Sequence, residues 1–292
     1  MPRILCAGLI AVDMVFDIES YPAVGTKTRA SAAQMITGGG ALNAATTIAG
    51  LGGQACVAGA IGADALGDFL LAEMARREID TTHLQILPDA PTSLSAVLIT
   101  PDGDRTVINR RHQVPACPHL DPFRFDAALA DTRWPDLAAV AMNAARKTGK
   151  PAVLDAEAPV KPASDALGIA THVVFSQQGL RDFAGACDAA ALSNSAKKMR
   201  TWCAVTRGAS SVLCHDGQTL SEVPVFPTQA VNTLGAGDTW HGAFTLALVR
   251  GMPEIEAVRW ANAAAAVKVS RPWGSTAPPT RPEVDAHLKK TR

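Results

Sequence analysis

The feature that most constrains the fold is a unit repeated along the chain: a short apolar run, a polar tip, then a helical stretch. Apolar runs occupy residues 3–10, 57–61, 127–130, 151–154, 172–175 and 202–206. Runs this short, apolar throughout rather than alternating, predict strands buried on both faces. Their alternation with helical patterns predicts an α/β fold with a doubly wound, mostly parallel sheet. Four runs end in marked tips: Asp131-Thr132-Arg133, Asp155-Ala156-Glu157, Ser176-Gln177-Gln178-Gly179 and Arg207-Gly208-Ala209. In such sheets ligands gather beyond the carboxyl ends of the strands. Arg133 therefore stands where a ligand binds, and so does Asp13, just after the first run. A turn aspartate is the equal alternative for Asp13. Two hairpins are expected, one over residues 93–109 around Pro101-Asp102-Gly103-Asp104 and one over 212–225 around Asp216-Gly217. Leu70, Leu71, Met74 and Ile79 form a helical apolar stripe and read as core.

Chemistry concentrates in two glycine-bearing stretches. Gly235-Ala236-Gly237-Asp238 follows a strand-like run at 221–226 and leads into a helix-like run at 243–250. Small residues let backbone approach a ligand, and a helix start points free N–H groups and a partial positive charge at it. That suits a phosphate or a developing phosphoryl charge. Asp238 beside it could take a proton from an attacking hydroxyl. The alternative is a plain strand-to-helix turn with Asp238 at the helix start. Gly38-Gly39-Gly40 precedes Asn43 and a helix running to about Leu51. Glycines there would let a sugar ring lie against backbone, and Asn43 offers donor and acceptor. Residues 21–35 read as an exposed flap made basic by Lys27 and Arg29, and Arg110, Arg111 and His112 form a second basic cluster.

Charge and cysteine usage exclude other classes. Twenty-seven basic residues balance 27 acidic ones, which argues against a nucleic-acid binder or a binder of anionic membranes. The six cysteines are scattered without a C-x-x-C pair, so thiols in a reducing compartment are expected rather than disulfides or zinc. No leader-like or membrane-length apolar run is present, and a cytoplasmic protein is expected. No Gly-x-Gly-x-x-Gly follows the first strand, against a dinucleotide-binding enzyme.

The joint occurrence of Gly38-Gly39-Gly40 to Asn43 near the start and Gly235-Ala236-Gly237-Asp238 near the end resembles the ribokinase-like (PfkB) family of carbohydrate kinases. The resemblance covers nearly the whole chain. It implies one domain over residues 1–292, a three-layer αβα sandwich with a mostly parallel sheet, and a small β-sheet lid from about 14–35 and 93–111. It implies a homodimer formed through the lid, with small-molecule sugar and ATP as partners. It implies transfer of the γ-phosphoryl group of ATP to a sugar hydroxyl, with Asp238 as base and Gly235, Ala236 and Gly237 as anion hole. Asp13, Gly39, Gly40 and Asn43 would hold the sugar. Arg207 and Gly208 would follow the nucleotide phosphates beside Gly235 and Gly237, and Asn262 would lie near the adenine. Mg2+ would ride on the phosphates. Two departures stand out. Asn232 replaces a usual aspartate tied to a monovalent cation, which leaves potassium activation open. Ser176 and Gly179 replace the usual Asn-x-x-Glu that organises metal-bound water, which leaves the metal ligands open.

Within that family the chain is similar to sulfofructose kinases, through Ala130-Asp131-Thr132-Arg133-Trp134, Val153-Leu154-Asp155, Phe175-Ser176, Gly179-Leu180 and Arg271-Pro272. This similarity implies a sulfonate held by Lys27, Asn109 and Arg133, and a 6-deoxy-6-sulfofructose phosphorylated at its C1 hydroxyl. A sulfonate is a permanent anion that suits charge-assisted donors. A phosphorylated sugar asks for similar donors and stays open, as do another ketose, a sugar acid or a nucleoside. A non-catalytic sugar or nucleotide sensor is the alternative of another class.

Overall fold

The computed structural model describes residues 1–112, 114–121, 124–272 and 275–289. Its first strand, β1 (Arg3–Ala7), sets the plan. Successive side chains of a strand point to opposite faces; here Ile4 and Cys6 enter one core while Leu5 and Ala7 enter another. A strand buried on both faces needs helices on both faces. The chain continues through β2 (Ala11–Asp17), β3 (Ala32–Gly38), α1 (Gly40–Gly50), β4 (Gln54–Gly62), α2 (Ala65–Arg76), β5 (Asp80–Leu87), β6 (Leu94–Ile99), β7 (Arg105–Arg110), β8 (Ala127–Asp131) and α3 (Pro135–Lys147). Then come β9 (Ala152–Ala156), α4 (Ser164–Ile169), β10 (His172–Ser176), α5 (Gln177–Ala184), α6 (Ala189–Met199), β11 (Trp202–Arg207), β12 (Ser210–His215), β13 (Leu220–Val223), α7 (Ala236–Val249), α8 (Glu254–Val269) and α9 (Arg281–Lys289).

Nine strands form one sheet in the order β13-β12-β11-β10-β9-β8-β1-β4-β5, parallel except at β12 and β13. β1 pairs with β4 on one side and β8 on the other, so the winding reverses there. A reversal of this kind opens a crevice at the carboxyl ends of the strands. The other four strands form a separate small sheet, β3-β2-β6-β7, in which β2 and β6 are parallel and the outer pairs antiparallel. The expected sandwich with a small second sheet is the observed architecture.

One contact fixes the crevice geometry. A Cβ at Gly242 would lie 2.7 Å from the Ala44 carbonyl oxygen. α7 therefore crosses α1 almost backbone to backbone, and Ala41, Ala44, Ala45, Ala243 and Ala247 fill the seam. Leucines there would separate the helices, and their N-terminal ends would part.

Several boundaries differ from expectation. α7 starts at Ala236, seven residues before the helix-like run, because its first turns carry small and polar residues instead of an apolar stripe. The strand expected at 221–226 stops at Val223, since Pro224 and Pro227 cannot donate to a ladder. Asp13 lies inside β2, so the turn alternative fails. β5 was not expected: it is a half-exposed edge strand with neither an apolar run nor clean alternation. In the expected flap, residues 18–31 are irregular and only the stretch from 32 onward is strand.

Candidate active site

The crevice holds a cavity of about 450 Å³. Leu9, Asp131 and Asp155 line it from the ends of β1, β8 and β9, Gly39, Gly40 and Asn43 from the start of α1, and Gly235, Ala236, Gly237, Asp238 and His241 from the start of α7. Two backbone positions make this possible. Gly39 has φ +88°, and a Cβ there would strike the Leu9 carbonyl at 2.3 Å. Gly235 caps α7 at φ +72°. Both lie in the region that favours glycine.

Asp238 sits in the first turn of α7, and its Oδ2 accepts a 2.7 Å hydrogen bond from Asn43 Nδ2. Asn43 thus reaches Asp238 as well as the cavity. Burial pushes the Asp238 carboxyl above the usual carboxylate range; the Asn43 bond and His241 pull it down, while Glu157 and Asp131 push it up. A carboxylate held at a helix N-terminus by one strong donor can accept a proton from a hydroxyl placed in the cavity. Among the proposed anion-hole groups, the Ala236 N–H is engaged with the Thr233 carbonyl at 3.2 Å. The helix leaves the Gly237 N–H without an intrahelical acceptor.

Behind Asp238 lies a row of carboxyl groups that sequence reading treated only as strand tips. Asp131 accepts N–H groups from Arg133 at Oδ1 and Leu9 at Oδ2, each at 2.8 Å. Asp155 lies 3.4 Å from His241 Nε2. Burial and then the neighbouring carboxylates Asp238, Glu157 and Asp131 drive Asp155 well above the ordinary value. Arg133 is already engaged: Nη1 donates to the Ala158 carbonyl and Nη2 to Glu157, both at 2.6 Å.

The small sheet forms the opposite wall. Its register sets Ile36, Asp13, Ser95 and Asn109 side by side. Asp13 is buried, and burial raises its pKa against the pull of the Ser95 hydroxyl. A Cβ at Gly38 would meet that carboxylate at 2.3 Å. Along β7, Arg105, Val107 and Asn109 line the cavity with the period of two expected of a strand, and Arg110 and Arg111 both line it where the strand ends. Arg105 donates to the Thr233 hydroxyl at 2.7 Å and bridges the small sheet to the loop before α7. Arg111 has no hydrogen bond or ion pair among the described residues.

Residues 1–281 match the pfkB family carbohydrate kinase family. This chain belongs to that family. The kinase is similar to a crystal structure from Agrobacterium tumefaciens provisionally described as a ribokinase, at 32% identity and TM-score 0.93 over 99% of this chain and 98% of that one. A ribokinase of Arabidopsis thaliana complexed with ribose and ATP superposes with TM-score 0.85 at 24% identity, over 99% and 98% of the two chains. The ketohexokinase of Mus musculus is 25% identical over 88% of this chain and 93% of its own length. The protein is therefore a carbohydrate kinase.

The kinase brings most of the expected residues together. Asp13, Gly39, Gly40, Asn43, Asn109, Arg133, Gly235, Ala236, Gly237 and Asp238 share one cavity. Lys27 does not line it; it lies exposed in the irregular part of the small-sheet connection. Arg207 and Gly208 do not line it either. Arg207 is tied to the Ser211 carbonyl and Glu222, and Gly208 makes the tight turn between β11 and β12 with φ +61°. Asn262 does not line it either. It is buried, its Oδ1 accepts from Trp240 Nε1 at 2.7 Å and its Nδ2 donates to the Pro224 carbonyl at 3.0 Å. Its amide ties α7 to α8 and to the loop after β13. Ser176 caps α5 by accepting the Gly179 N–H at 2.9 Å. A Cβ at Gly179 would lie 1.8 Å from the Ala156 carbonyl, so this backbone admits no glutamate there. Asp155 and His241 are among the cavity residues with no earlier role. The strand tip signalled Asp155, and the i, i+3 spacing from Asp238 could have signalled His241.

Proposed function

We propose that this kinase phosphorylates 6-deoxy-6-sulfofructose at its C1 hydroxyl, with Asp238 as general base. The observation that carries this reading is one cavity holding both a carboxylate at a helix start and a set of anion receptors, Asn109, Arg111 and Arg133. Asp238 takes the hydroxyl proton while Asn43 fixes its orientation. Asp13, with Gly39 and Gly40 giving close access to backbone, receives the remaining sugar hydroxyls. The Gly237 N–H and the α7 dipole stabilise charge on the transferring group. Lys27 is replaced in the anion seat by Arg111. Burial and the neighbouring Arg133 both disfavour the Arg111 charge, and an anionic substituent would relieve that repulsion.

Bound ATP would supply the phosphoryl group and Mg2+ its charge neutralisation. Among the described residues no cluster of three or more His, Cys, Asp or Glu side chains is arranged to hold a metal ion. Asn232 is buried and bonds the Leu234 N–H at 3.0 Å. It offers no charge to a monovalent cation, and Lys268 lines the same small cavity of about 60 Å³. Turnover without added potassium is expected. The row Met35, Met14, Ala96 and Ile108 runs across the small sheet on the face away from Asn109, with Ile108 64% exposed. It supports a homodimer through the lid.

ATP-dependent ADP release with sulfofructose, fructose 6-phosphate, fructose and ribose side by side tests the substrate. Preference for sulfofructose supports the reading. Preference for fructose 6-phosphate keeps the anion seat and changes its ligand. The names of the similar proteins favour a second reading, a neutral ribose or ketohexose as substrate, and preference for ribose or fructose would establish it.

A further inference from the structure

His241 lies one turn along α7 from Asp238, is buried, and plays no part in the chemistry described so far. Its two nitrogens are distinguishable. Nδ1 is 2.7 Å from the Gly237 carbonyl oxygen, which can only accept, so Nδ1 carries a proton. Nε2 is sealed from solvent without a hydrogen-bond partner and faces Asp155 Oδ1 at 3.4 Å. A buried imidazole nitrogen and a buried carboxyl oxygen placed this way satisfy each other only if one proton lies between them.

The surroundings decide whether that proton stays. Asp131 faces the pair from β8, Glu157 from the tip of β9 and Asp238 from α7, and the Val174 carbonyl approaches the imidazole from β10. Arg133 is the nearby guanidinium, and it is already tied to Glu157. With His241 neutral, an ionised Asp155 would put one more negative charge into this group, next to the carboxylate read here as the base.

We propose that Asp155 and His241 share one proton, held on Asp155 and directed at Nε2, and that this uncharged pair is a positioning device that keeps Asp238 ionised and α7 oriented. The directions of titration agree. Burial pulls the imidazole down and pushes the carboxyl up, which leaves the shared proton on Asp155. The bond from Nδ1 to Gly237 anchors the residue whose N–H faces the transferring group. The inference rests on Asp238 being the base.

Two measurements test it. In the wild-type protein labelled with 15N-histidine, His241 should show a protonated Nδ1 and a hydrogen-bonded, non-protonated Nε2 that stay unchanged from about pH 6 to pH 9. An Nε2 that takes up a proton across that range overturns the proposal, without reference to activity. The second measurement is the pH profile of kcat/KM. His241→Phe should move its acid limb upward, costing about ten-fold in rate at the foot of the limb for each unit moved. Adding Asp155→Asn, which replaces the shared proton by a neutral amide, should bring the limb back. An unmoved limb in folded His241→Phe, or a shift that Asp155→Asn leaves in place, overturns the proposal. Failure of the base reading would look different: Asp238→Asn would keep its turnover while the histidine spectrum stayed as expected.

Discussion

The two sheets of this kinase solve different problems. The nine-stranded sheet is covered on both faces, and its carboxyl ends hold Asp131, Asp155 and, through α1 and α7, Asn43 and Asp238 in places fixed by backbone contact. The four-stranded sheet buries only a small cluster of its own, Val15, Val97 and Ile99, and every residue of β7 is exposed. Catalytic groups need positions accurate to a fraction of an ångström, and a doubly covered frame supplies them. Receptors for a variable substituent need access and some freedom, and a half-covered sheet supplies those. On the proposed reading, the large sheet does the chemistry and the small sheet the selecting.

Four substitutions would break or sharpen that division. Asp238→Asn removes the base from the frame and should lower kcat by about 10²–10⁴-fold with sugar affinity kept, read by steady-state kinetics and calorimetry. Asn43→Ala removes the donor to Asp238 and should lower kcat/KM by about ten- to a hundred-fold. Because that bond holds the Asp238 pKa down, its loss should also move the acid limb of the pH profile upward. Arg111→Ala, on the small sheet, should raise KM for an anionic sugar about ten-fold and leave a neutral sugar unaffected. Asn262→Ala should leave the kinetic constants near wild type while costing about 1–3 kcal/mol of stability by chemical denaturation, because Trp240 Nε1 and the Pro224 carbonyl lose their buried partner.

The frame was the more legible of the two. Most of its strands are continuous apolar runs, and its glycines and polar tips fall at the carboxyl ends of the strands, so Asp238, Asn43, Gly39 and Arg133 could be placed from their local patterns. What could not be read depended on packing between distant segments. Nothing around Asn262 says that its amide faces Trp240 twenty-two residues earlier, and nothing around Gly179 says that the Ala156 carbonyl crowds it. Asn43 looked like a sugar ligand because its neighbours are glycines; only the crossing of α1 over α7 brings it to Asp238. On the small sheet, Lys27 and Arg111 were both basic residues in exposed-looking segments. Position separates them, since Arg111 directly follows β7 and lines the cavity with Arg105, Val107 and Asn109 while Lys27 belongs to no strand. His241 was hidden for the same reason as the start of α7: the first turns of that helix carry no apolar stripe to phase them.

The most direct test of the division is the ratio of kcat/KM for sulfofructose over fructose, measured in wild type, Asp238→Asn and Arg111→Ala under one set of conditions. Both substrates should fall together in Asp238→Asn, leaving the ratio unchanged, whereas Arg111→Ala should collapse the ratio about ten-fold at nearly constant rate on fructose. A ratio that changes in Asp238→Asn and holds in Arg111→Ala would contradict the assignment of chemistry to the large sheet and selection to the small one.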